Sequence, residues 1–103
     1  MLSYLLRCIM FYVYILANRK NGTIYTGVTG HLPARIYAHR EHAGSKFASR
    51  YRTLRLVCMQ PFATALEAIE HEKRLKKWRR EWKIRLIERE NPEWRDLYDD
   101  LLK

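Results

Sequence analysis

A handful of side chains in this 103-residue sequence stand where their types and spacing could serve chemistry. Tyr14 and Tyr25 flank an Asn21-Gly22 turn signal, so a hairpin would make the two phenols neighbours. Packing alone also produces such neighbours. Arg35 and His39 form an i, i+4 pair that shares one helix face. The first offers a planar fork suited to phosphate, the second a group that passes a proton near neutral pH; a solvated basic face would read the same way. Glu72 falls on the series Ile69, Leu75, Trp78, which should be apolar. A buried acid is costly unless paired or bound to a metal. Lys73, Lys76 or Arg35 could pair it, or it could hold a cation at the floor of a cleft. Gly27 lies within a strand pattern, where glycine weakens the strand unless a bulge or a close backbone approach requires it.

Composition narrows the partners. Lys and Arg outnumber Asp and Glu by 20 to 11, a formal charge of +9, which favours a polyanionic partner through release of phosphate counterions. Anionic membranes attract the same charge, so charge alone is only a lean towards nucleic acid. Hydrophobic residues make up 48%, enough for one core and too many for general disorder. The two cysteines, Cys8 and Cys58, exclude a disulfide-stapled scaffold and a cysteine-rich zinc site. Phosphate-cradling loops, His-Glu-x-x-His and nucleophile-elbow motifs do not occur.

The elements that must hold these residues follow from pattern. Residues 1–9 read as an N-terminal extension before a start at Met10, and as neither a membrane span nor a signal peptide. Met10 to Ala17 is apolar on both faces, as in a strand covered on two sides. Thr23 to Val28 alternates as its antiparallel partner. Pro33 opens a helix running to about His42, with Leu32 and Ile36 facing inward and Gly44 closing it. Leu54 to Met59 alternates as a third strand that Pro61 stops. Thr64 with Glu67 makes a capping box for a long helix reaching about Glu90, broken near Arg79. Its expected core stripe is Ile69, Leu75, Trp78, Trp82 and Leu86, with the tryptophans inside. Asn91 and Pro92 punctuate, and residues 91–103 form a closing helix packed through Trp94 and Leu97. The order β-β-α-β-α-α is an α+β fold, a small three-stranded antiparallel sheet flanked by helices, with residues 10–90 as the main domain.

Taken together, Tyr12-Val13-Tyr14, Tyr25-Thr26-Gly27, Arg35, His39 and the stretch Glu72-Lys73-Arg74-Leu75-Lys76-Lys77-Trp78 resemble the GIY-YIG endonuclease superfamily, in particular its small single-domain bacterial members. The likeness spans about Met10 to Ile87. Tyr12-Val13-Tyr14 stands where the family name has Gly-Ile-Tyr, and Thr26 stands for the Ile of the second motif. Each motif alone is weak, while their order and spacing together are specific.

The resemblance implies a metal-dependent endonuclease acting on DNA, structure-selective and linked to repair or recombination. Tyr25 would be the general base or orient the attacking water, with Tyr14 beside it holding the water or the metal shell. Arg35 would stabilise charge on the phosphate, His39 would assist that network, and Glu72 would bind one divalent ion, Mg²⁺ or Mn²⁺. Lys46 and Arg50, in the loop after the first helix, and Lys73 and Lys76 would contact the nucleic-acid backbone. DNA is the expected partner, with RNA left open, no membrane, a cytoplasmic setting, and a partner protein or second copy for targeting. A non-cleaving nucleic-acid-binding module and a protein-interaction domain are the alternatives.

Overall fold

The computed structural model describes residues 10–41 and 55–101. Strand β1 (Phe11–Ala17) lies at the centre of a three-stranded antiparallel sheet, between β2 (Ile24–Thr29) and β3 (Arg55–Phe62). Helix α1 (Leu32–Arg40) follows β2, and α2 (Ala65–Lys77), α3 (Arg80–Glu90) and the short α4 (Tyr98–Leu101) follow β3. The expected order is present, with a break in the long helix at Trp78 and Arg79, whose backbones are extended (ψ 151° and 149°).

Alternation along β1 sorts the core into two layers, because successive strand residues face opposite sides. Val13, Ile15 and Ala17 pack with Ala68 and Leu75 of α2, Leu86 and Ile87 of α3, and Trp94. Tyr14 and Leu16 pack on the other side with Leu32 and Ile36 of α1 and Leu56 of β3. The β1–β2 turn has Asn21 at a φ of 57°, and the Gly22 N–H donates to the Arg19 carbonyl at 3.0 Å. Arg80 clamps this turn by donating to the carbonyls of Asn21 (2.8 Å) and Gly22 (2.6 Å), which fixes the start of α3 against the hairpin.

Several local expectations need correction. Pro61 does not end β3, which runs on to Phe62. The strand lies at the sheet edge, where a missing N–H donor is tolerated. Its alternation is also interrupted. Ile15 pairs with Cys58 and Leu16 with Leu56, so Val57 is an extra residue and both Val57 and Cys58 face the α2–α3 layer. Helix α1 ends at Arg40 rather than His42; His42 and Gly44 lie outside the described residues.

The core stripe is Ala68, Leu75, Leu86 and Ile87; α2 turns its Ala68–Leu75 face inward and leaves Ile69 exposed, and beyond the break Trp82 of α3 is 47% exposed. Trp78 is half-buried against the core. The closing segment is mostly irregular. It turns at Trp94, whose φ of 56° aims a fully buried indole into the core, where its Nε1–H donates to Glu88 Oε2 at 2.7 Å. The 1–9 extension lies outside the described residues.

Candidate active site

Four of the expected residues meet on the α1 side of the sheet. Leu32, Ile36 and His39 form the buried stripe of α1, and Arg35 projects beside them. His39 Nε2 lies 3.0 Å from the Tyr14 hydroxyl, and Arg35 Nε–H donates to that same oxygen at 3.3 Å. The Tyr25 ring is 6.4 Å from Tyr14 and 5.4 Å from His39, centroid to centroid, edge-on to the imidazole. Arg35 interacts with the Tyr25 phenol as well, so one guanidinium bridges both tyrosines.

Strand register explains the meeting. Tyr14 pairs with Gly27 and Leu16 with Tyr25, which puts the two tyrosines diagonal on one face. A side chain at Gly27 would collide with Tyr14, its Cβ only 2.5 Å from the phenol Cζ. The glycine is therefore the space in which the Tyr14 ring lies.

Burial sets the protonation of the cluster. It pushes the Tyr14 phenol above its ordinary value; the hydrogen bond from Arg35 acts the other way, and Tyr25 and Glu72 add to the rise. Tyr14 is thus a neutral phenol at physiological pH. His39 is held below the usual histidine value by burial and by the Arg35 charge, so its ring is neutral. Its Nδ1 is buried without a hydrogen-bond partner among the described residues.

Glu72 lies on the buried side of α2 between Ala68 and Leu75, and its side chain is 14% exposed. Its charge is felt at Tyr14. The carboxylate is paired with Lys76 Nζ at 3.1 Å in an i, i+4 contact. Because Lys76 is itself half exposed, this pair is worth only about 0.3–0.5 kcal/mol and leaves the carboxylate open to a stronger cation. No group of three or more His, Cys, Asp or Glu converges among the described residues. One carboxylate, completed by waters and phosphate oxygens, is a donor set that suits Mg²⁺.

Lys76 also lines a shallow hollow of about 300 Å³ with Ile24, Tyr25, Thr26 and Lys83. Lys83 belongs to none of the motifs picked out in the sequence. Burial, then the charges of Arg80 and Lys76, hold its ammonium below the ordinary lysine value. The signal that could have found it is its position one helical repeat beyond Lys76, which the break at Trp78 obscures. Lys73 is exposed on α2 and does not line this hollow. Lys46 and Arg50 lie outside the described residues. Cys58 is free, and burial pushes its thiol up to about 12, which leaves it unreactive.

With this geometry in place, comparison with known proteins is decisive for the family. The family model described as the GIY-YIG catalytic domain matches residues 10–85. The chain belongs to the GIY-YIG family. This is a nuclease family, and its matched span contains Tyr14, Tyr25, Arg35, His39 and Glu72. The chain is similar to a UPF0213 protein of Staphylococcus haemolyticus, 35% identical over 77 residues that cover 75% of this chain and 93% of the relative. A UPF0213 protein of Bacillus pumilus is also 35% identical, over 75% of this chain and 78% of its own. One of Staphylococcus aureus is 33% identical over 74% and 92%. No solved structure matches the chain.

Proposed function

We propose that this GIY-YIG protein is an endonuclease that hydrolyses DNA phosphodiester bonds with the help of one divalent ion, Mg²⁺ or Mn²⁺, held by Glu72. The observation that carries the reading is the cluster of Tyr14, Tyr25, Arg35 and His39, two phenols and an imidazole gathered about one guanidinium. Packing asks only that the buried Tyr14 hydroxyl be satisfied; that one of its partners is a guanidinium, a group suited to phosphate, goes beyond that need.

Tyr25, half-buried at the edge of the hollow, is the group placed to orient or deprotonate the attacking water. Arg35 carries the positive charge that stabilises negative charge developing at that oxygen or on the phosphate. Tyr14 is wholly buried with its hydroxyl engaged, so we assign it the role of holding Arg35 and His39 in register rather than touching water itself. Neutral His39 can accept the Tyr14 proton at Nε2, which leaves the phenol oxygen to face Arg35. Lys76 and Lys83 supply cations for the flanking backbone. A divalent ion, when bound at Glu72, supplies charge that polarises the scissile phosphate and eases departure of the leaving oxygen.

The +9 charge supports a nucleic-acid substrate, and we extend the reading to branched or flapped DNA met in repair or recombination. No helix among the described residues is long and apolar enough to cross a membrane. We place the protein in the cytoplasm, brought to its substrate by a partner protein or a second copy.

The test is incubation of the full chain with supercoiled, flapped and branched DNA, with Mg²⁺ or Mn²⁺ and with chelator. Tyr25→Phe and Glu72→Ala are each expected to lose roughly 100-fold or more of the cleavage rate. Unchanged cleavage in both variants overturns the assignment. The Glu72–Lys76 pair is the observation behind a second reading, a binding module that no longer cuts, in which no divalent ion displaces Lys76 from the carboxylate. That reading expects salt-sensitive DNA retention and no nicking with either metal.

A further inference from the structure

The flank of α3 turned away from Lys83 carries Trp82, Arg85 and Arg89. Trp82 is 47% exposed, an unusual position for the largest apolar side chain, whereas Trp94 is fully buried. Its ring stands edge-on to Trp78 at 6.1 Å between centroids, and the Arg79 guanidinium lies 5.8 Å from its centroid. Beside it opens a hollow of about 430 Å³, lined by Trp78, Trp82, Arg85 and Arg89 together with His71 and Gln60. The His71 Nε2–Gln60 Oε1 contact of 2.8 Å and the Phe62 ring 5.0 Å away fix the imidazole as one wall. Among the described residues no carboxylate lines the hollow.

We propose that this Trp82 hollow is a second nucleic-acid site, separate from the tyrosine cluster, that takes an unpaired base of a single strand. Indole and guanidinium faces are the groups on which bases stack, and arginines along the same helix flank are placed to follow the phosphates on either side of the stacked base. The edge-on contact with Trp78 restricts the Trp82 ring, so part of the rotamer freedom a stacked base would freeze out is already given up. A base stacks by its face, so recognition here is indifferent to sequence and selective for strands that are not paired. Charge argues against an apolar protein partner: three arginines border the ring, and like charge would oppose the same flank of a second copy.

The proposal does not depend on cleavage, so its test is run in chelator, where no phosphodiester bond is cut. Binding of a fluorescein-labelled oligothymidylate and of a labelled duplex of equal length is measured by anisotropy for the wild-type chain, Trp82→Ala and Trp82→Tyr. Circular dichroism checks that each variant is folded. Trp82→Ala is expected to weaken single-strand binding about 10- to 100-fold, to change duplex binding less than about 2-fold, and to be rescued by Trp82→Tyr. Equal affinity of wild type and Trp82→Ala for the single strand overturns the proposal, as does an equal loss on both nucleic acids. Concentration-dependent sedimentation abolished by Trp82→Ala would instead assign the face to a second copy and overturn it too. Loss of cleavage in the Tyr25 and Glu72 variants, or its persistence, leaves these readings untouched.

Discussion

Gly27 faces Tyr14 across the β1–β2 ladder, and the phenol lies in the space a side chain at Gly27 would fill. A strand position is thereby given up so that a tyrosine can lie flat across the sheet and reach α1. Gly27→Ala is expected to destabilise the fold by about 1–3 kcal/mol through overpacking, read from urea unfolding midpoints. In a Tyr14→Ala background the same change should cost at least about 1 kcal/mol less. Equal costs in the two backgrounds would show that the ring does not own that space.

Stability should fall in mild acid. His39, facing Tyr14 of β1, Tyr25 of β2 and Arg35 of its own helix, is held below the ordinary histidine value of 6.5, as is His71 through burial and Arg74. Above about pH 6.5 both folded and unfolded chains keep these rings neutral, and their contribution is complete. As pH falls below that value the unfolded chain binds protons that the folded one resists, and stability drains until the lowered folded values are passed. Thermal melts from pH 7.5 to 5.5 should show a falling Tm, and a His39→Gln, His71→Gln double variant a shallower slope. Identical slopes would count against buried neutral rings.

One carboxylate ties the closing segment to both β3 and α1. Asp96 Oδ1 accepts the Leu56 and Tyr98 N–H groups, each at 3.1 Å, and Oδ2 takes the Arg40 guanidinium, which also lies 4.4 Å from the Tyr98 ring centroid. Arg40 follows His39 directly, so this contact also anchors the end of α1. Asp96→Ala is expected to cost about 1.5–3 kcal/mol in chemical denaturation and to slow cleavage by loosening α1. A neutral result would mean that Trp94, the Asn91 amide on Val57 and the Leu97 N–H on Leu56 fix the tail without it.

Lys83 should contact phosphate. Lys83→Ala is expected to leave the melting temperature within a few degrees of wild type and to lower the slope of log K against log salt on duplex DNA by about 1. An unchanged slope would remove Lys83 from the interface.

Signals carried by near neighbours in the chain were legible directly. The Asn21-Gly22 turn, Pro33 in the first turn of α1, and Thr64 with Glu67 at the start of α2 each act within a few residues, and all lie where the pattern puts them. The motif residues were legible as types in order, which is why the family could be read before the fold.

What depended on packing could not be read that way. Pro61 continues a strand because β3 is an edge, and only the order β2-β1-β3 makes it one. Trp82 faces outward beyond the helix break, while Trp94, in an irregular segment, is sealed inside. Residue order fixed which chemical groups the chain carries and where its turns and caps fall, since those energies are local. Tertiary structure alone decided which groups are dry and what they touch across the fold: Tyr14 buried between Arg35 and His39, and Lys83 beside Tyr25. Burial and electrostatic contact belong to pairs of elements far apart in the chain, and they exist only once the two layers close on β1.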